Sequence, residues 1–521
     1  MDESPPPQEG FGDGPGQGRT RDLTQGPITR TLAAFALPVL GTSVLQSLNA
    51  SINSVWVGRF LGEAALAATS NANLVLFLLL GTVFGVGMAA TIVVGQSMGR
   101  RDMVMAKRAV GTSVAFFSII SVLFAVGGWL GTDAILKAMG TPHDALPLAS
   151  AYLRVIFLAL PLMNFSTLVM TLLRGAGDSR TPFQFSLLAV TLDMAFNPVL
   201  ILGLGPFPEM GIAGAAMATL ISQAVALVAL VVLLYVRKHP LRLTGPDLAY
   251  LKLDPGLIRT LVAKGLPMGL QMIVISASAL IVMSLVNSFG SRTAAAYGVA
   301  AQLWTYVQMP ALSIGAAVSS MAAQNVGAGL WDRVARVTRA GIAFNIILTG
   351  AMVAVLYVAA PLVLGLFLPT DSAAVAIATH INQVVVWTFI PFGVTIVLFA
   401  TVRATGDVWP PLIILTLSII LVRIPFAYIL EPIWGPDAVW WSFAFGSAVA
   451  LALSAAYYRA GRWKKAHMLD DRPAMGEPPD TGHGLPRDRV MESVSRSAEA
   501  PEGPGSPESP SAPTAPRSET V

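Results

Sequence analysis

Residues 174–182 read Arg174-Gly175-Ala176-Gly177-Asp178-Ser179-Arg180-Thr181-Pro182, and 229 residues later the motif returns as Arg403-Ala404-Thr405-Gly406-Asp407. Working outward, other landmarks keep nearly the same offset. Leu37-Pro38 matches Leu266-Pro267, Gly62 matches Gly290, and Gln96-Ser97-Met98-Gly99 matches Gln324-Asn325-Val326-Gly327, while Asn197-Pro198 lies near the counterpart of Ile424-Pro425. Ordered agreement at one spacing marks an internal duplication. Taken singly, each such loop reads as a tight turn: glycine supplies positive φ, aspartate caps the next helix, and arginine anchors at the headgroups.

Twelve apolar stretches surround these loops, the first near residues 32–57 and the last near 437–458. Each approaches or exceeds the roughly 20 residues that cross about 30 Å of hydrocarbon as helix. Helix is required there, because coil or an open sheet facing lipid leaves backbone groups unpaired, and the runs are too long and unalternating for barrel strands. Composition agrees: 54% of the 521 residues are apolar and only 12% charged, about half the roughly 25% of soluble domains. The expected fold is an all-α polytopic membrane protein of twelve transmembrane helices in two parallel six-helix repeats, equally oriented because six is even. The expected division is a disordered N-terminal tail (1–30), an N-lobe of helices 1–6 (31–236), a basic linker (237–264), a C-lobe of helices 7–12 (265–466) and a disordered tail (467–521) rich in Pro, Ser, Glu and Gly.

Lys and Arg set the orientation. Sixteen fall after even-numbered spans, among them Arg100, Arg101, Arg174, Arg237 and Arg403, against four after odd-numbered spans, Arg59, Lys137, Arg154 and Arg292. Both termini are therefore expected in the cytoplasm, with the protein a multi-pass resident of a bacterial cytoplasmic (inner) membrane. The first 28 or so residues lack the apolar core of a cleavable signal. The pI near 9.4 reflects basic residues placed between apolar runs, so no nucleic-acid partner is expected. With no Cys and five scattered His, neither a thiolate site nor a metal centre is expected.

A carboxylate at mid-span costs at least roughly 2.5–3.5 kcal/mol on the mildest insertion scale, and Asp193, within AVTLDMAFNPVLI of span five, is the one acid so placed. Asn197 follows one helical turn later on the same face, and Pro198 frees the carbonyl of Met194. Two uses are open. Asp193 can exchange a proton between the two sides, or its ionised form with Asn and backbone oxygens can form a hard-oxygen site suited to Na⁺. In span one, Gln46, Asn49 and Asn53 form a polar stripe that can face the cleft or Asp193. Arg423, in LSIILVRIPFAYIL, is the other intramembrane charge and must snorkel, pair or line water. For adaptable binding walls, span eight offers Gln302, Thr305, Tyr306 and Met309 before Pro310, and span ten offers Trp387.

Jointly, Leu37-Pro38 with the Val57-Gly58 exit, Tyr297-Gly298 with Met309-Pro310, residues 324–329, residues 174–182, and Asn197-Pro198 ahead of Gly211-Ile212-Ala213-Gly214 resemble the multidrug and toxic compound extrusion (MATE) transporters over nearly all of residues 30–465. The resemblance implies a V-shaped two-lobe antiporter that expels varied, often cationic, small organic compounds against H⁺ or Na⁺ inflow, with H⁺ favoured. The ion-coupling candidates are Asp193, Asn197 and Asn53, and the candidate substrate contacts are Gln46, Asn49, Gln302, Thr305, Tyr306, Met309, Trp387 and Arg423. A monomer in contact with membrane lipid is expected, with no cofactor besides the coupling ion. The chain also departs from the family. Relatives show Asn followed four residues later by Asp-Pro where this chain has Asp193 then Asn197, they often carry Asp where Asn53 stands, and the acids some use in spans seven and ten are missing.

A lipid-linked oligosaccharide flippase is the weaker reading, since only Arg423 offers a cation for pyrophosphate. Enzyme chemistry is not expected, because no paired nucleophile and base or metal motif occurs in the spans, and no Gly-x-x-x-x-Gly-Lys-[Ser/Thr] loop is present to hold ATP.

Overall fold

The structure, a computed structural model, describes residues 21–141, 145–364 and 373–468. Residues 1–20 and 469–521, most of the two tails read as disordered, lie outside the described residues. The first six spans are α1 (Ile28–Leu61), α2 (Glu63–Gly99), α3 (Met103–Ala138), α4 (Leu146–Gly175), α5 (Arg180–Leu202) and α6 (Gly211–Val236). After a 3-10 segment (Gly245–Leu251) come α7 (Pro255–Ser288), α8 (Ser291–Gly327) and α9 (Trp331–Leu364). Span ten is α10 (Ala373–Val385), a 3-10 turn (Val386–Thr388) and α11 (Phe389–Ala404). Span eleven is α12 (Trp409–Thr416), a π-helical segment (Leu417–Arg423) and α13 (Ile424–Trp434), and α14 (Asp437–Ala460) is span twelve. The chain is thus a multi-pass membrane protein, with no strand among the described residues.

Among the described residues, ten helices are long and apolar enough to cross a membrane. The 37 residues of α8 fall outside that set because the helix is too polar. It packs on α1, α2, α9 and α11, and it buries Ser313, Ser319, Ser320, Gln324 and Asn325. A helix walled in by neighbours can carry polar side chains that lipid would exclude.

The duplication is visible in backbone and packing. Gly177 and Gly406 both take positive φ, 93° and 99°, as the turn reading requires. Asp178 caps α5, its Oδ1 accepting from the backbone N–H groups of Arg180 and Thr181, each at 3.0 Å. Between repeats, α2 packs on α7 and α8 packs on α1, while α3 meets α7 and α9 meets α1. Those pairings exchange under a pseudo-two-fold with α2 and α8 beside the axis.

Residues 21–30, expected as the end of a disordered tail, are instead held in the fold. Leu23 is fully buried against Leu32, Phe35, Ile314 and Met321. Its N–H donates to Gln324 Oε1 at 3.0 Å, its carbonyl accepts from Asn325 Nδ2 at 3.2 Å, and Arg333 donates to the carbonyls of Gln25 and Gly26. One apolar residue with both backbone groups satisfied fixes this segment, a feature too short for a compositional reading to detect. Likewise Met468, assigned to the C-terminal tail, is buried.

The linker is docked rather than loose. Lys107 pairs with Asp247 at 2.7 Å and Arg108 with Asp254 at 2.5 Å, and the hydrogen bond from Lys107 holds the Asp247 carboxyl below the usual carboxylate range. A Cβ at Gly111 of α3 would lie 2.5 Å from the Tyr250 carbonyl oxygen. Gly111→Val is therefore expected to lift the linker at a cost of about 1–3 kcal/mol. Limited trypsin digestion reads this as faster cleavage at Arg242 and Lys252. Gly127→Val, at a glycine with nothing within 4 Å, should leave the rate unchanged.

His239, just beyond α6, is 3% exposed, and burial pulls its imidazole from 6.5 down to about 4. Above pH 6.5 it is neutral both folded and unfolded and adds nothing to the pH dependence. Between 6.5 and about 4 only the unfolded chain takes the proton, so stability falls with pH by up to about 1.4 kcal/mol per unit. His239→Phe should flatten the acid limb of a thermal-unfolding series in detergent over that window. An unchanged limb would refute the assignment.

Candidate ion and substrate site

Helix α5 is wedged between α1 and α6, which places Asp193 in the interior of the first repeat at 3% exposure. The hydroxyl of Thr219 in α6 donates to Asp193 Oδ1 at 3.0 Å, and Asn53 Nδ2 in α1 donates to Oδ2 at 3.3 Å. Asn49 also lies beside the carboxylate, and Tyr152 of α4 is buried nearby. None of the ion pairs among the described residues includes Asp193. The acid is therefore held by neutral donors alone, which leaves its charge available to an exchangeable cation.

Asn197 does not reach the carboxylate. Its Nδ2 turns back to the main-chain oxygen of Asp193 at 3.0 Å. That oxygen lies one residue before the carbonyl that Pro198 leaves free. The Oδ1 atoms of Asn49, Asn53 and Asn197 are buried without a hydrogen-bond partner. Two of these, on Asn49 and Asn53, belong to side chains that contact the carboxylate, and amide oxygen is a ligand type that suits a hard cation.

On α1, Gln46 is exposed, whereas Asn49 and Asn53 are half-buried beside Asp193. On α8, Gln302 and Thr305 are exposed, Tyr306 is half-buried and Met309 is buried, and Trp387 is 39% exposed on the 3-10 turn of span ten. No described hydrogen bond joins these second-repeat residues to Asp193. Arg423 makes no ion pair among the described residues and turns inward rather than outward. Its guanidinium carbon lies 3.4 Å from the Phe443 ring centroid. Thr219 and Tyr152 were missed by sequence reading. Thr219 could have been found as the hydroxyl that directly follows the run Gly211-Ile212-Ala213-Gly214-Ala215-Ala216-Met217-Ala218, whose small residues let α6 approach α5.

The repeated loops do more than turn. Gln96 Nε2 donates to the Ala404 carbonyl at 2.7 Å, and Gln324 Nε2 donates to the Gly175 carbonyl at 2.9 Å. Each repeat thus holds the other by the same residue and the same acceptor position. A Cβ at Gly99 would lie 1.9 Å from the Gln324 carbonyl oxygen, and one at Gly327 would lie 2.0 Å from that of Gln96. Arg174 and Arg403, expected at the headgroups, are half-buried with Nε unpartnered, and Arg403 donates to Gln271 at 3.3 Å. Every described side-chain hydrogen bond from the first repeat or the 21–26 segment to the second repeat lies at this basic end.

Comparison with known proteins agrees with this architecture. The MatE family profile matches twice, over residues 38–199 and 267–429, and the second match is one residue longer. A π turn takes up one extra residue in a helix, and span eleven carries one. The chain is 38% identical over 448 residues to the probable multidrug resistance protein YoeA of Bacillus subtilis (strain 168), covering 86% of this chain and 96% of that protein. It is 25% identical to a FAD transporter of Shewanella oneidensis, covering 78% and 88% of the two chains. Its fold matches a solved multidrug resistance MATE transporter, described as outward-facing, with a TM-score of 0.79 at 22% identity over 86% of this chain and 100% of that one. The double match, the reciprocal inter-repeat contacts and the extent of these likenesses establish that this chain is a member of the multidrug and toxic compound extrusion (MATE) family.

Proposed function

We propose that the chain is a secondary active exporter of small organic compounds, working as a monomer in a bacterial cytoplasmic membrane and driven by cation inflow through Asp193. The observation that carries this reading is a buried intramembrane carboxylate held only by neutral donors beside unpaired amide oxygens. The names of relatives, a multidrug resistance protein and a FAD transporter, support organic substrates. The lobes of the exporter are residues 31–236 and 265–466, joined by 237–264, with both termini in the cytoplasm. In that orientation the hydrogen-bonded basic end is the cytoplasmic one, and the conformation is closed inward.

The proton is the favoured coupling ion, because a lone carboxyl suffices to carry it. Sodium is a second reading, favoured by the unpartnered amide oxygens of Asn49 and Asn53. Dye efflux in everted vesicles, with a pH gradient or a sodium gradient imposed separately, tests both. Efflux driven by neither gradient overturns the proposal.

A further inference from the structure

Counted from the start or the end of the two family matches, the counterpart of Asp193 is Val422 or Arg423, so Arg423 lies within one residue of the position equivalent to Asp193, at the end of the π segment. The duplicated bundles therefore hold ionisable groups of opposite sign close to the same place in span five and span eleven. The interior direction of Arg423 follows from its helix. Leu421, Tyr428 and Ile429, on the opposite face, are 63%, 49% and 69% exposed, whereas Ala427, one turn from Arg423 on its own face, is 2% exposed. The Arg423 stem packs at Gly446 of α14, where a Cβ would lie 3.2 Å from the arginine Cβ. Phe443 covers one face of the guanidinium, and Tyr297, stacked on Trp440, stands near it.

Among the described residues this guanidinium meets no anion. None of the ion pairs among the described residues includes it, and its buried Nε has no hydrogen-bond partner. Guanidinium presents a planar fork of five donors that matches carboxylate, sulfonate or phosphate. Stacking on an aromatic ring occupies its face and leaves the edge donors open. A cation in a membrane bundle with unused donors is costly unless water or a ligand fills them.

We propose that Arg423, backed by Phe443, is the binding site for the anionic group of an organic substrate, so that this exporter accepts organic anions and zwitterions, with Asp193 serving the cation. The inference rests on the exporter reading only for calling the bound anion a substrate.

Two xanthene dyes of similar shape and opposite charge, fluorescein and rhodamine 6G, test it by fluorescence-anisotropy binding to purified full-length protein and by transport in everted vesicles. The parent should bind fluorescein, and Arg423→Gln should weaken that binding by about tenfold or more, as loss of a charged hydrogen-bond donor set implies, while rhodamine 6G binding stays unchanged or tightens. Arg423→Lys should recover part of the loss, because charge returns without the fork. If Arg423→Gln does not fold, the same selective loss is read from Arg423→Lys against the parent. No fluorescein binding by the parent, or equal weakening for both dyes, overturns the proposal. Selective fluorescein binding without gradient-driven transport would sink the exporter reading alone. Gradient-driven rhodamine 6G efflux without Arg423-dependent fluorescein binding would sink the anion site alone.

Discussion

Asp193→Asn is expected to abolish gradient-driven accumulation of an exported dye while leaving the protein folded. Asn is isosteric, can still accept from Thr219, and removes a buried charge, so the structural cost should be small. The functional cost should be large. A gradient of one pH unit is worth about 1.4 kcal/mol per proton, or roughly a tenfold accumulation ratio, and a group that cannot bind the ion differentially on the two sides transmits none of it. In everted vesicles the parent should reach about tenfold accumulation per pH unit per proton, and the variant should stay near unity. Preserved accumulation in Asp193→Asn would remove the coupling role from this residue. The family match and the duplicated architecture would stand.

The second large effect lies at the basic end. Gly99 and Gly327 meet the Gln324 and Gln96 carbonyls so closely that any side chain there must separate α2 from α8. Gly99→Val should oppose the closed contact by about 1–3 kcal/mol, a roughly 5- to 150-fold shift of the open-to-closed population. The protein contains no cysteine, so a single Ala323→Cys can report the change. Ala323 is fully buried and faces Gly95 across the repeat interface, where a Cβ would lie 2.9 Å from its own. In the Gly99→Val background, maleimide labelling of that cysteine from the basic side should accelerate at least severalfold, and efflux should fall because the cycle cannot reseal. Unchanged labelling would show that the Gly99 contact does not gate this end.

Much of the candidate site was legible because lipid makes polarity conspicuous. Asp193 stands out in an apolar run because its placement is costly, and the amides of Asn49 and Asn53 follow helical spacing closely enough to point at it. Thr219 did not stand out, since a hydroxyl can satisfy itself on its own helix, and here it reaches Ala215 O at 3.4 Å as well as the carboxylate. Asn197 was read as a partner of the carboxylate because face and spacing agree, yet its amide turned to the backbone beside Pro198, a choice of rotamer that spacing does not encode.

The amino-acid sequence by itself determined the number of spans, the duplication and the position of the lone acid, because hydropathy, repeat offset and the cost of charge in hydrocarbon are properties of residues taken in order. Only the tertiary structure decided what the repeated loops grip, that Leu23 is clasped between Gln324 and Asn325, and that Arg423 turns to Phe443 rather than to an acid. Those outcomes depend on which helices lie side by side across the pseudo-two-fold. Contacts between residues hundreds of positions apart are set by packing geometry, which no local pattern carries.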